Sequence, residues 1–384
     1  MDEVKLTVTA ASGIEAVAKR ELKKLGFAEP KAERGAMSVT GALSDIARLN
    51  VFLRTADRVY LDAGAFRAET FDALFDGVYS LRWEDYCRRE TKVIVNGKSV
   101  KSRLFALSAC QKIVKKAITK RLSEKYKLRV LPESGETLYV FFDICCDTAV
   151  IRIDTTGTGL HKRGYRDMVG AAPIRENLAA AMVLLSGYSY RKPLRDPFCG
   201  SGTIAVEAAL YALDVAPGIF RKFAFEEFCF MPQGAIAGAR EEAKDRERRD
   251  REIDVIGSDI DPRAVKLAER HARRAGVADK VKFKVGDARE FCSPLSDGVI
   301  VTNPPYGDRV LTEREARALY GALGRAYRGL DNWSLFAIAE DKDFERAFGK
   351  KADKTRKLYN SDKECRLYEY FGKRENDYGR KNSD

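Results

Sequence analysis

The stretch Asp196-Pro-Phe-Cys-Gly-Ser-Gly-Thr203 limits what this chain can fold into more than any other segment. Leu194 to Phe198 is short and apolar enough for a buried strand, Gly200 and Gly202 permit a tight turn with close backbone approach, and Thr203 to Leu213 reads as a helix. A strand, a glycine loop and a helix in that order begin a doubly wound α/β sheet, with a ligand lying across the turn. Dinucleotide-binding folds use a similar loop for pyrophosphate, so the residues that follow must discriminate. Asp254-Val-Ile-Gly-Ser-Asp259 is a second strand ending in an acid, placed to accept hydrogen bonds from ribose hydroxyls. Asp261 and Pro262 suit the N-cap and first position of a helix running to Ala275 and stopped by Gly276. A third strand, Val281 to Val285, ends at Gly286-Asp287, where an acid can hold an adenine amino group. Each acid can also serve as a helix cap or turn former; that reading suits Asp261, and a ligand role suits Asp259 and Asp287.

The second informative stretch, Asn303-Pro-Pro-Tyr-Gly307, follows the apolar run Gly298-Val-Ile-Val-Thr302 at the fourth-strand position. An exocyclic amine on a nucleobase is a poor nucleophile because its lone pair is delocalised into the ring. Acceptors counter this: the Asn303 amide oxygen and the Pro304 carbonyl can take the two amine protons, while Pro304 and Pro305 stiffen the loop. Tyr306 offers a face for an unstacked base. The tetrapeptide alone would suit a rigid turn with a surface tyrosine; its place after a buried strand favours the acceptor reading.

Residues 193–209 and 299–309 resemble the signature segments of S-adenosylmethionine-dependent amino methyltransferases, whose loop has the form Asn/Asp-Pro-Pro-aromatic. The wider chain resembles the THUMP-domain RNA methyltransferases, most closely the bacterial enzymes that methylate N2 of a guanine in 23S ribosomal RNA. Thr70 to Val78, Asn96 to Lys101 and Leu160-His-Lys-Arg-Gly-Tyr-Arg166 look like that family's segments between its RNA-binding and catalytic parts. The resemblance implies an α/β fold. A Rossmann-like class I methyltransferase domain, with a mostly parallel sheet and an antiparallel final strand, follows ferredoxin-like and THUMP units. It also implies S-adenosylmethionine as cofactor, with no metal. Cofactor contacts fall on Pro173, Asp196, Phe198, Cys199, Gly200, Gly202, Thr203, Asp259, Asp287 and Asn303, and the catalytic loop is Asn303, Pro304, Pro305 and Tyr306. Ala172 to Leu178 opens a helix that closes over the methionine part of the cofactor, or else is an interdomain helix with a proline at its start. Positioning, more than a strong base, governs displacement at a sulfonium methyl. Adenine-N6, guanine-N2 and glutamine-N5 methyltransferases share the loop, so the target depends on the front half. An adenine-N6 enzyme acting on RNA or DNA, a transfer-RNA enzyme and a non-catalytic RNA-binding assembly factor are the alternatives.

Charge distribution points to nucleic acid. The 384 residues carry a net charge of +12, and 45% are hydrophobic, enough for two or three ordinary cores. Between Arg88 and Arg129, fourteen Lys and Arg face only Glu90 and Glu124, an excess equal to the net charge of the whole chain. Ser108 with Gln111 resembles a capping box, after which Cys110, Ile113, Val114, Ala117 and Ile118 form an apolar stripe at helical spacing. Lys112, Lys115, Lys116 and Lys120 fall opposite it. With few acids nearby to pair with them, these lysines, together with Lys98 and Lys101, are expected to contact phosphates of a structured RNA, 23S ribosomal RNA or a pre-ribosomal particle. Arg240 to Arg251 alternates in sign and reads as a solvated helix.

The eight cysteines lack metal-ligand spacing, and with only His161 and His271 in the chain, histidine triads and multi-histidine metal sites are not expected. His271 falls on the apolar side of its helix, at the edge of a core; Cys199 reads as a small residue filling a tight turn. No apolar signal segment opens the chain and no run reaches membrane-spanning length, so a cytoplasmic protein without membrane association or an obligate protein partner is expected. The expected divisions are a ferredoxin-like unit over 1–66, a THUMP unit over 67–160, a methyltransferase domain over 161–371 and a disordered polar tail over 372–384.

Overall fold

Two seven-stranded sheets organise the chain. The computed structural model describes residues 3–33, 35–167, 174–305, 312–360 and 363–372. The first sheet is built from β1 (Val4–Ala10), α1 (Glu15–Lys24), β2 (Lys31–Glu33), β3 (Ala36–Gly41), α2 (Asp45–Phe52), β4 (Ala56–Arg67), α3 (Phe71–Ser80), β5 (Lys92–Val100), α4 (Leu107–Tyr126), β6 (Thr137–Cys145) and β7 (Thr148–Asp154). The second belongs to α5 (Glu176–Leu185), β8 (Leu194–Asp196), α6 (Thr203–Ala212), α7 (Ala235–Arg246), β9 (Val255–Asp259), α8 (Pro262–Arg274), β10 (Val281–Val285), β11 (Gly298–Thr302), α9 (Glu313–Arg328), β12 (Trp333–Ala339), α10 (Phe344–Phe348), β13 (Lys354–Asn360) and β14 (Lys363–Tyr370).

The strand order of the first sheet is β2-β3-β1-β4-β7-β6-β5. Its central strand β4 pairs with β1 on one side and β7 on the other, crossing the boundary expected at residue 66. The two units expected over 1–66 and 67–160 therefore share one sheet. Alternation sets the faces: Leu138, Val140, Phe142 and Ile144 of β6 are buried, while Tyr139, Phe141 and Asp143 lie on the other face. Where β7 ends, the buried Asn50 amide donates to Thr155 Oγ1 (3.0 Å) and accepts from Thr156 Oγ1 (2.7 Å), so a polar side chain is satisfied inside the core.

Two expectations fail here. Thr70 to Val78 is the body of α3 with its N-cap, and Asn96 to Lys101 is the end of β5 with one following residue; both belong to the first sheet's unit rather than to a connection. Residues 221–243 also group with that unit, alongside residues up to 10 and 19–160, whereas 11–18, 161–220 and 244 onward form the other. The second unit is thus interrupted in sequence by a segment of the first unit. Ala239 and Ala243 of α7 are buried within this return segment, so α7 is more than a solvated helix.

In the second sheet, β10-β9-β8-β11-β12 run parallel and β14-β13 close the edge antiparallel. The β11 run Gly-Val-Ile-Val-Thr is buried at every position, as a central parallel strand covered on both faces requires. Over β12 and β14, Tyr320 and Tyr327 of α9 pack with Phe344, Phe348, Tyr368 and Tyr370; the Phe344 and Tyr368 rings stack with centroids 4.6 Å apart. The α9–α10 approach depends on Gly324, where a Cβ would lie 1.9 Å from the Phe348 carbonyl oxygen. Gly324→Ala should therefore destabilise the protein by about 1–3 kcal/mol, read as a lower urea midpoint. An unchanged midpoint would mean that α10 shifts away at no cost.

Candidate active site

At the carboxyl ends of β8, β9, β10 and β11 lies a cavity of about 740 Å³. The glycine loop reaches it because its backbone takes conformations few residues tolerate: Gly200 has φ +49° and Gly202, at the N-cap of α6, φ +78°. Two hydrogen bonds tie the loop to β9, Cys199 N to Ser258 O (2.9 Å) and Gly200 N to Asp259 Oδ2 (2.9 Å). Asp259 Oδ1 accepts from Asp261 N (2.9 Å), so this carboxylate sits between the glycine loop and the start of α8, and each oxygen retains a further lone pair.

Phe198, Cys199, Gly200 and Thr203 line the cavity on the loop side; Asp259 and Asp287 line it at the strand ends; Asn303, Pro304 and Pro305 line it after β11. Pro173 and Tyr306 lie outside the described residues. Two of the expected contacts are placed elsewhere. Asp196 is 1% exposed behind the cavity, where its Oδ1 accepts from Thr302 Oγ1 (2.7 Å) and Phe198 N (3.2 Å). Gly202 is a packing glycine: a Cβ there would come within 2.7 Å of Ala268 and 2.9 Å of Phe283. Asp287 lines the cavity but is held locally. It caps the turn Ala288–Glu290, accepting from Arg289 N (2.9 Å), and the Arg289 side chain holds its carboxyl below the usual range. Asp261 is the N-cap of α8, accepting from Arg263 N (2.9 Å), with Pro262 in the first turn.

Burial lifts the Asp196 carboxyl to about 7, and the nearby Asp259 charge adds to the rise against the opposing Thr302 hydroxyl. The pair Asp196–Thr302 joins the residue that ends β8 to the residue before Asn303. Sequence reasoning missed this positioning role, and also that of Tyr320, whose hydroxyl donates to Pro305 O (2.9 Å) from a fully buried site on α9. The signal for Tyr320 was its place in the Ala316, Tyr320, Leu323, Tyr327 stripe, which reads only as core. Gly257 was missed too: a Cβ there would lie 2.9 Å from Cys199 Cβ, so β9 needs glycine where the loop crosses it. His271 is fully buried, deeper than the edge position expected, with Nδ1 2.9 Å from Ser201 O in the same loop; burial holds its pKa down.

The donor set fits S-adenosylmethionine. Asp259 presents a carboxylate beside backbone exposed by Gly200, the form that a ribose diol needs, and Ile260, Leu267, Ala288 and Leu319 give an apolar lining for a base. Among the described residues no group of three or more His, Cys, Asp or Glu is placed to hold a metal ion.

The lysine surface departs from expectation in its partners. α4 starts at Leu107 with Ala106 as N-cap and no side-chain cap; the expected Ser108–Gln111 box is absent because Ser108 lies inside the helix and Gln111 reaches Val95 O (3.3 Å). Lys115 pairs with Glu133 (2.8 Å), Lys98 with Asp143 (3.4 Å) and Lys120 with Glu124 (3.9 Å). Glu133 and Asp143 come from beyond the acid-poor window, which is why the sequence hid those pairs. Lys112 is exposed, and the Lys116 and Lys120 ammoniums lie 5.9 and 5.8 Å from the Phe75 ring centroid on α3. Lys101 follows β5 with φ +51°.

Known proteins share this organisation. Residues 163–369 match the family model described as RMKL-like, methyltransferase domain; residues 5–60 match the RlmL ferredoxin-like domain and 68–154 the THUMP domain. A Bacillus subtilis (strain 168) protein named "Putative RNA methyltransferase YpsC" is 40% identical over 97% of both chains. Ribosomal RNA large subunit methyltransferase K/L of Aliivibrio fischeri (strain ATCC 700601 / ES114) is 33% identical over 94% of this chain, which spans 52% of that protein's length. Among solved structures, SMU.472 complexed with SAH superposes with a TM-score of 0.92 at 41% identity, covering 97% of this chain and 99% of that one. A Listeria monocytogenes (str. 4b F2365) protein called a "predicted N6-adenine-specific DNA methylase" gives 0.92 at 44% identity, with 97% of each covered.

Because the neutral Asp196 carboxyl is favoured in the fold, its stabilising contribution is full below about pH 4 and is lost as pH rises through about 7. Asp196→Asn keeps an acceptor for Thr302 and cannot ionise. Between about pH 4 and pH 8 the wild type should lose on the order of a few kcal/mol relative to this variant, measured by urea unfolding at each pH. Parallel stability profiles would show that Asp196 titrates normally.

Proposed function

Because this chain belongs to the RMKL-like methyltransferase family, we propose that it methylates RNA, transferring the methyl group of S-adenosylmethionine to the exocyclic N2 amine of a guanine in 23S ribosomal RNA. The observation that carries this reading is the convergence of Asn303 and Pro304 with Asp259 and the Gly200 loop around one cavity. S-adenosylmethionine supplies an electrophilic methyl group when bound. Asp259 takes the ribose hydroxyls, and the apolar wall of α8 and α9 receives the base. Asp287 is assigned the adenine amino group, which takes the place of part of the Arg289 contact that both its oxygens accept. Asn303 Oδ1 and the Pro304 carbonyl accept the two amine protons, which orients the nitrogen lone pair, and Tyr306 supplies a stacking face for the extruded base. Pro305 is held by Tyr320, so the acceptors are fixed before the substrate arrives. The ribosomal target is supported by the named activity of the K/L relative, and a cytoplasmic location follows from that target. Adenine-N6 methylation remains the second reading, favoured by the name of the Listeria structure and by a loop that serves either amine.

Asn303→Ala should lower methyl transfer about a hundredfold or more, a loss far larger than any change in S-adenosylhomocysteine affinity. Single-turnover rates on unmodified ribosomal RNA, with the product nucleoside identified by mass spectrometry, check both the loop and the target. A wild-type rate in the variant overturns the acceptor role; N6-methyladenine as product overturns the guanine assignment.

The RNA surface is assigned to the lysines of α4, with Lys98 and Lys101 beside them. Replacing Lys112, Lys116 and Lys120 by alanine should weaken RNA binding and flatten its salt dependence, by a slope of roughly 0.9 for each duplex phosphate deprived of its lysine. Fluorescence anisotropy across a salt series reads this. An unchanged slope returns α4 to the role of a solvated helix.

A further inference from the structure

The first unit holds a second cavity, of about 570 Å³, at the sheet face opposite its core. It lies where β6, β7 and β4 meet the return segment. Tyr139 and Phe141 alternate on β6, Phe141 faces Tyr60 of β4 at 5.7 Å between ring centroids, and Phe223 of the return segment lines another side. The return segment is fixed there by Ala224 N to Thr156 O (3.3 Å) and Phe225 N to Thr155 O (3.0 Å), with the Arg221 guanidinium 5.0 Å from the Phe223 ring centroid. Aromatic side chains thus line a concavity that stays open, and Tyr139 is 36% exposed.

The charges in this cavity are unequal in a useful way. Asp154 is consumed internally: it accepts from Thr156 N (2.9 Å) and Gly157 N (3.1 Å) and from the Arg58 guanidinium, which also donates to Gly157 O. Arg58 therefore offsets Asp154. Lys222 is exposed at the cavity and has no acidic partner among the described residues, leaving one uncompensated cation. Asn96, opposite Phe141 in the β5–β6 register, adds an amide with both donor and acceptor atoms. Stacking faces, one cation and one amide match the three parts of a nucleotide: base plane, phosphate and base edge. The volume falls in the ~300–1,000 Å³ range of small-ligand sites.

We infer that this cavity takes one unpaired nucleotide of the RNA substrate, its base against Tyr139 and Phe141 and its phosphate at Lys222. The inference rests on the RNA reading above and concerns a place separate from both the methyl-transfer cavity and the lysines of α4. It gives the front half a means of selecting RNA that carries an unpaired residue at a set position, which a lysine surface alone cannot do.

The test uses the full chain with two probes, a short mixed-sequence single-stranded RNA and the same sequence as a duplex, and with free guanosine and uridine monophosphates as competitors. Tyr139→Ala should weaken single-strand binding on the order of tenfold and Lys222→Ala several-fold, Tyr139→Phe should bind like wild type, and duplex affinity should not move. Ultraviolet crosslinking followed by peptide mapping should mark β6 in the wild type. Unchanged single-strand affinity in both alanine variants, or crosslinks confined to other peptides, overturns the inference. So does a free mononucleotide that binds more tightly than the RNA and displaces it, because the cavity would then serve a small effector. Methylation of ribosomal RNA by the wild type is scored separately. Its absence together with a crosslink at β6 would sink the proposed activity and leave the cavity assignment standing.

Discussion

The buried hydrogen bond from Thr302 to Asp196 carries more of the architecture than its size suggests. One residue ends the strand that feeds the glycine loop; the other ends the strand that feeds the acceptor loop. Their side chains meet 2.7 Å apart where both are shielded from water, so relative motion of the two strand ends would strand a polar group at a cost of about 1–3 kcal/mol. Phe198 N shares the same carboxyl oxygen, which extends the constraint into the loop itself. From this point the rest of the site is determined outward: Cys199 and Gly200 are tied to β9, Asp259 to the start of α8, and Pro305 to α9.

That arrangement explains why a protein performing a displacement would need so few reactive side chains. The candidate site holds no metal-ligating cluster among its described residues, and Asp196, the carboxyl that burial lifts, faces away from the cavity. What the fold supplies is fixed direction. Lining residues are held by neighbours outside the cavity, as Tyr320 holds Pro305 and Gly257 makes room for Cys199.

Much of this was legible in sequence, for identifiable reasons. The glycine loop, Asp259, the Asp261 cap and the β11 run announce themselves because local backbone chemistry dictates them: positive φ, strand ends, a proline in the first turn. Asp196 was misplaced because an acid at a strand end looks the same whether it faces a ligand or a neighbouring strand; only its pairing with Thr302, more than a hundred residues away in sequence, decides. The six lysines expected at the RNA looked unpaired for a similar reason, since Glu133 and Asp143 reach Lys115 and Lys98 from outside the acid-poor stretch. The shared strand β4 hid because its second half carries no run of large apolar residues: Leu61 is the last fully buried residue, and Asp62 to Arg67 continue the strand with mixed exposure.

The return of residues 221–243 to the first unit sets an order on how the chain can be completed as it is made. Residues up to 160 contain every strand of the first sheet, yet Phe225, fully buried there, is supplied only after α5, β8 and α6 have been synthesised. On a ribosome extending the chain at roughly 5–20 residues per second, the unit that begins first must wait several seconds with part of its apolar surface uncovered. The N-terminal unit is first to start but cannot be finished until the opening strand and helix of the methyltransferase portion have left the exit tunnel. Vectorial synthesis and domain order are therefore out of step in this protein, and the interval between them is a window in which the nascent chain is open to chaperones.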